Sequence, residues 1–177
     1  MRAFRLLLGA LVIAAPAAAQ EIRPTVSLQP GDAAIVRLTP QGDQGSVQRN
    51  AARWTPHDLA VARHMVGQPI PDAPVATAEH LPGETMPPPS PIAPGQIRLL
   101  FHSIADRHTL LVIENGYDHA IVFRARMVRD GEGRATDVCL VMPNRRGYEH
   151  WPHMMERLEL AGFTFAEWRE GDEIPCR

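Results

Sequence analysis

The clearest pattern of apolar and polar positions lies in the second half of the chain. Residues 110–113 form a partly β-branched apolar run, which is typical of a strand buried on both faces. In residues 121–127 one apolar row alternates with a row that carries two arginines, a period of two that favours a second strand over a buried helix. Asn115 and Gly116 lie between the runs and tolerate the positive φ of a tight turn, and a longer loop through residues 117–119 is equally compatible. The stretch predicts a β-hairpin.

Alternation predicts further strands on both sides of this hairpin. Residues 97–102 and 136–142 each alternate between apolar and other side chains, which favours two more strands. Residues 151–156 have apolar spacings of three and four, so we expect one helical turn there. A strand at 157–165 should follow, with Gly162 as a bulge. Five or more short strands within about eighty residues predict a small all-β sandwich.

A short amphipathic helix is predicted in the first half of the chain. Thr55 can cap it, Pro56 suits the first helical position, Asp58 suits the first turn, and Gly67 can end it. Its apolar face consists of Leu59, Ala62, Met65 and Val66. Such a helix is marginal in water by itself, so we expect it to dock either on the C-terminal domain or on a partner protein.

Three further segments lie on either side of this helix. Residues 33–38 predict a short strand, which is either an added edge strand of the main domain or a loosely ordered arm, and the polar residues 41–50 predict a loop. Residues 68–94 contain nine prolines and favour an extended polyproline conformation, which cannot carry a core. We interpret them as a semi-rigid spacer.

The first residues are typical of a secretory signal peptide. Arg2 and Arg5 precede a short apolar run that ends in small residues, and we expect cleavage before Gln20. The chain then divides into a signal peptide at 1–19, an N-terminal arm at 20–67, a Pro-rich linker at 68–94 and a β-sandwich domain at 95–177. The mature protein should be exported, periplasmic or extracellular, with no membrane span.

Charge argues against nucleic acid as a partner. Without the signal peptide, sixteen arginines and no lysine stand against twenty acidic residues, which gives a formal charge of −4. A mildly acidic protein without a basic run is a poor candidate for nucleic-acid binding.

Cys139 and Cys176 are the only cysteines. Export places them in an oxidising compartment, so we expect a disulfide between them. On the chain-entropy model, closing this loop stabilises the fold by about 4 kcal/mol.

Three short motifs carry a resemblance. They are the I-E-N-G-Y-D turn, the D-V-C strand and the E-H-W-P turn. Over residues 95–176 the chain resembles uncharacterised exported bacterial proteins with immunoglobulin-like β-sandwich domains. The resemblance implies a fold and no activity. The antibody pattern has a cysteine in each of two sandwich strands around a buried Trp. This pattern is not met, because Cys176 lies near the C-terminal end and not in a predicted strand.

Imidazole and thioether groups gather in one segment before the last predicted strand. These groups are copper ligands, and the candidates are His150, His153 and Met154, because in a helical turn His150 would share a face with His153 or Met154. A periplasmic copper-binding protein is therefore one alternative function. Met154 and Met155 also fit an apolar stripe with Trp151, and core packing is the interpretation that we prefer.

Catalytic motifs are weak. The sequence has no G-x-S-x-G motif, and Cys139 would be a candidate nucleophile only if it were unpaired. A hydrolase with an unrecognised site remains a second alternative, and no cofactor is implied.

The interpretation that we favour is a non-catalytic binding or assembly module of the cell envelope with a protein partner. Sandwich domains carry function in loops and edge strands, and aromatic residues are enriched at interface hot spots. The predicted interaction surface consists of Tyr117, Asp118, His119, Tyr148, Trp151 and His153.

Overall fold

The computed structural model describes residues 25–67 and 86–176. The predicted signal peptide and residues 68–85 of the predicted linker lie outside this part. The elements of the described part are β1 Val26–Leu28, β2 Asp32–Leu38, β3 Gln44–Ala51, α1 Pro56–Val66, β4 Ile97–Ile104, β5 His108–Asn115, β6 Ala120–Arg129, β7 Glu132–Thr136, β8 Arg146–Trp151 and β9 Arg157–Ala166. No helix in this part is long and apolar enough to cross a membrane.

The strands form two antiparallel sheets that face each other. One sheet has the order β1-β9-β6-β7, and the other has the order β3-β2-β4-β5-β8. Alternate side chains of both sheets meet in the main core, which includes Val36, Leu99, Phe101, Ile113, Ile121, Phe123, Leu160 and Phe163. The prediction of an all-β sandwich is confirmed at this level.

Residues on the N-terminal side of the predicted linker belong to both sheets. β1 pairs with β9, and β2 lies between β3 and β4. Of the two alternatives for residues 33–38, the structure therefore shows an added strand, although it is an inner strand and not an edge. The first residue of the predicted sandwich domain, residue 95, is not where the sandwich begins.

The predicted loop at 41–50 is wrong, because most of it forms β3. Its polar composition is explained by its position at the edge of the sheet. Only Val47 of β3 packs against the main core, and most of the remaining side chains are exposed. An edge strand that is solvated on one side does not need an apolar row.

The predicted hairpin is also wrong. Both of its strands exist, but β5 pairs with β4 and β8 in one sheet, whereas β6 pairs with β7 and β9 in the other. The side-chain amide of Asn115 fixes this crossing, since it donates to the carbonyls of His119 at 2.8 Å and Met142 at 3.0 Å. Gly116 is required beside it, because a Cβ there would collide with the Ala93 carbonyl.

Two other predictions fail around β8. The predicted strand at 136–142 is wrong, because between β7 and β8 the chain forms only isolated bridges at Cys139 and Val141. The helical turn at 151–156 is wrong, because Trp151 ends β8 and no helix follows. Apolar residues at these positions reach the core from irregular backbone.

The last strand and the disulfide are confirmed. β9 covers the predicted strand, and Gly162 has a φ of 65° where the β6–β9 register shifts, which is a bulge. Cys139 and Cys176 are bonded, and the Leu140 N–H donates to the Pro175 carbonyl at 2.9 Å. The C-terminal segment is thereby fixed to the stretch that follows β7.

Helix α1 begins and ends as predicted, with a capping box between Thr55 and Asp58 and a left-handed Gly67. Leu59 and Ala62 are buried, whereas Met65 is 37% exposed and does not belong to the buried face. The helix packs on the outer face of the five-stranded sheet in a second apolar cluster that includes Ala33, Leu100, Ile104, Leu110 and Val112. This sheet is therefore covered on both faces.

Because the N-terminal segment pairs with both sheets, we expect it to stay bound after the chain is cut. The test is to replace residues 74–79 with the recognition sequence of a site-specific protease and to cleave the folded protein. The two fragments should co-elute in native size-exclusion chromatography and separate only in denaturant. A C-terminal fragment that elutes alone with its strand signal intact would contradict this and support an independent domain at 95–177.

Candidate functional site

Chemically versatile side chains meet on the outer face of the five-stranded sheet, beside and beneath α1. The register places Val112 opposite Tyr148, and Leu110 opposite both His102 and His150. Since side chains alternate between faces, these residues point away from the main core. We call this surface the helix-side face and define it by His102, His108, Glu114, Arg146, Tyr148 and His150.

His102 is the most deeply buried imidazole of this face. It is 4% exposed and stacks on Trp54, with ring centroids 3.8 Å apart and an interplanar angle of 14°. Its Nε2 atom is buried with no hydrogen-bond partner in the described part of the protein. Burial lowers the pKa of His102 from 6.5 to about 4; the Asp58 carboxylate opposes this shift and Arg98 adds to it. His102 is therefore neutral at pH 7.

The Tyr148 hydroxyl lies near the same helix and is also buried without a hydrogen-bond partner among the residues described. Burial raises the pKa of Tyr148 to about 12, with a further rise from Asp58. The phenol is therefore protonated and can only donate or accept a hydrogen bond. Asp58 itself is 1% exposed and accepts a hydrogen bond from the Thr55 hydroxyl at 2.7 Å, so its carboxylate serves the helix cap.

An ion pair closes the other end of the face. Glu114 is 3% exposed, and its Oε1 atom accepts two hydrogen bonds from Arg146, one from Nη2 at 2.7 Å and one from Nε at 3.1 Å. Arg146 also donates to the carbonyl of Ser90. The His57 ring lies 2.7 Å from the carbonyl of Pro87. The described end of the Pro-rich segment, residues 86–94, is thus fastened to α1 and β8.

His108 and His150 form a pair of imidazoles at the margin of the helix-side face. His150 Nε2 lies 3.1 Å from His108 Nδ1, and the ring centroids are 5.1 Å apart with an interplanar angle of 23°. Burial lowers the pKa of His150, and the neighbouring His108 lowers it further. Both rings are only partly buried.

The predicted interaction surface separates into distinct places. Asp118 and His119 are exposed on the β5–β6 connection and are joined by a 2.7 Å contact. Tyr117 lies beside them, where its hydroxyl accepts a hydrogen bond from the Leu38 N–H at 2.8 Å. Tyr148 belongs to the helix-side face, whereas Trp151 is 7% exposed and packs in the main core. The structure therefore joins Tyr117, Asp118 and His119 but not the other three.

The predicted copper ligands do not converge. His150 points to the helix-side face, where it meets His108. His153 lies on the other side, with its Nε2 3.4 Å from the Met127 sulfur, and Met154 accepts a hydrogen bond from the Ser103 hydroxyl at 3.4 Å. Within residues 25–67 and 86–176, no group of three or more His, Cys, Asp or Glu side chains is placed to hold a metal ion.

The sheet edges differ in how open they are. The edges of the four-stranded sheet are β1 and β7. β1 has only three residues. In β7, the Arg126 side chain lies over Gly133. β8 is flanked by the segment after β7, where the Cys139 N–H donates to Glu149 at 2.7 Å. β3 has eight residues, is largely exposed, and pairs with β2 alone in the described part. It is the long open edge of the sandwich.

Most of the helix-side face was missed by sequence reasoning, because no local pattern links His102 and His108 to the other residues of the face. One signal was present. Polar residues such as Arg98, His102 and Glu114 occupy the second row of strands that are otherwise apolar on both faces. A polar residue in such a row indicates a covered face with a specific polar contact.

The fold and these groups define an all-β sandwich with one docked helix and a polar face beneath it. Compared with models of known protein families, with curated proteins and with solved structures, the chain shows no match. The inference of function therefore rests on the contacts of this chain alone.

The position of His102 makes stability depend on pH. The folded protein keeps this ring neutral down to about pH 4, whereas the unfolded chain binds a proton near pH 6.5. The free energy of unfolding is therefore not reduced by His102 above pH 6.5. As the pH falls from 6.5 towards 4, protonation of the unfolded chain lowers it by about 3 kcal/mol. Chemical denaturation of the wild type and of His102→Phe across this range measures the difference. If both proteins lose stability equally, other groups dominate and this assignment of His102 is wrong.

Proposed function

We propose that the protein is a non-catalytic binding or assembly module of the cell envelope, exported and built on an immunoglobulin-like sandwich. Its binding surface in this proposal is the open edge at β3, and its ligand is an extended segment of a partner protein. The observation that carries the proposal is the eight-residue strand β3, which, within the described residues, pairs with β2 along one edge and with no strand along the other. Two antiparallel sheets around one core support the sandwich type.

The chemistry of β3 favours strand addition. An edge strand presents a row of unpaired N–H and C=O groups, and proteins commonly protect such edges with lysine, proline or shortness. β3 contains no lysine and no proline, and Arg49 is its single charged residue. A partner strand can therefore pair with the backbone, while the exposed polar side chains of β3 give sequence preference.

Several polar groups of the sandwich serve its own structure or carry no charge, which supports a binding role over a catalytic one. Glu114 pairs with Arg146, Asp58 caps α1, and Tyr148 is protonated. Cys139 is disulfide-bonded and is not available as a nucleophile. Among the described residues, these contacts do not favour the hydrolase alternative.

Export belongs to the same proposal. It is supported by the signal-like residues 1–19 and by the Cys139–Cys176 disulfide, since disulfides persist in oxidising compartments. A module with a proline-rich segment fastened beside β8 would present β3 on the opposite edge of the same sheet.

Proline substitutions test the open edge. Successive N–H groups along β3 point alternately towards β2 and outwards. Of Gln48→Pro and Arg49→Pro, one should remove a β2–β3 hydrogen bond and lower the melting temperature, whereas the other should block the open edge with a smaller loss of stability. Peptides selected from a random displayed library should shift the amide resonances of residues 44–51 in the wild type.

The edge-blocked variant should lose these peptides while the fold is retained, and the other variant, studied below its melting temperature, serves as the matched control. Selected peptides whose resonance changes lie outside β3, or which bind the edge-blocked variant unchanged, would refute the proposed surface.

A further inference from the structure

The partly buried pair of His108 and His150 is used neither by the core nor by the proposed binding edge. The two residues come from neighbouring strands, His108 from the start of β5 and His150 from near the end of β8. They are 42 positions apart in sequence, and the β5–β8 pairing alone brings them together.

The separation of the two ring nitrogens suits chelation. Imidazole nitrogens bind zinc at about 2.0–2.1 Å, and at that bond length two nitrogens 3.1 Å apart subtend about 98° at the metal. This angle lies between the ligand angles of about 90° in square-planar and about 109° in tetrahedral coordination. A metal ion at the apex would replace the proton that the two nitrogens share.

We propose that His108 Nδ1 and His150 Nε2 form a two-imidazole site for a divalent transition-metal ion of the Cu(II), Ni(II) or Zn(II) class. Imidazole is a ligand common to these ions. Both rings lie at the margin of the sheet and are only partly buried, so the pair is accessible to an ion from solvent.

The described residues supply no third His, Cys, Asp or Glu ligand, so the remaining coordination positions belong to water or to a donor from outside the chain. The site differs from the copper hypothesis based on His150, His153 and Met154, since those side chains lie on different sides of the sheet. The histidine site is also independent of strand addition at β3, because β3 and β8 lie at opposite edges of the five-stranded sheet.

Calorimetric titration with Cu(II) and with Zn(II) tests the proposal on mature, disulfide-bonded protein that carries no histidine tag. The wild type should bind one equivalent, and the Cu(II) complex should show nitrogen hyperfine coupling in its electron paramagnetic resonance spectrum. Single variants His108→Ala and His150→Ala should each lose this binding. His119→Ala and His153→Ala, which alter histidines elsewhere, should bind as the wild type does.

Circular dichroism identifies the variants that fold, and His108→Gln and His150→Gln replace any alanine variant that does not. The proposal is overturned if the wild type binds no stoichiometric metal. It is also overturned if folded variants at positions 108 and 150 keep full affinity, or if binding is lost in His119→Ala or His153→Ala.

Discussion

The structure depends on covering the outer face of the five-stranded sheet, and helix α1 provides that cover. β4 and β5 carry apolar side chains in both of their rows, so one row packs in the main core and the other needs a second layer. Leu59 and Ala62 of the helix complete it. Each leucine buried in this way contributes about 1.5–3 kcal/mol, and an uncovered row would be an exposed apolar patch. The helix needs the sheet equally, because eleven residues are marginal in water.

Docking of the helix also explains where the unusual polar groups lie. A helix that packs on a sheet removes the polar atoms beneath it from solvent. The Nε2 atom of His102 and the hydroxyl of Tyr148 are buried in this way. A buried polar atom without a partner lowers stability, so these positions are not explained by packing alone. At the margin, where the helix ends its cover, His108 and His150 stay partly accessible. The same layer therefore buries His102 and leaves the pair of His108 and His150 partly accessible.

Local signals in the sequence were sufficient for some elements. The cap at Thr55, the left-handed Gly67, the bulge at Gly162 and the Cys139–Cys176 bond all follow from residues near in sequence or from a single pair. Partner choice was not predictable in this way. β5 is followed by the residues of a hairpin turn, yet it pairs with β4 and β8 and not with β6. The polar β3 has a loop-like composition because an edge needs few apolar contacts. The histidine pair depends on the register between β5 and β8, which are neighbours in the sheet but far apart in sequence, and no local pattern encodes this register.

Native-state hydrogen exchange resolved by residue tests most directly whether the N-terminal segment and the sheet form one unit. If they do, the hydrogen-bonded amides of β2 and of the interior of α1 should open with the same free energy as those of β4 and β5, within about 1.4 kcal/mol. Rapid exchange throughout β2 and α1, with β4, β5 and β9 still protected, would contradict this. The sandwich would then be complete without its N-terminal strands and helix.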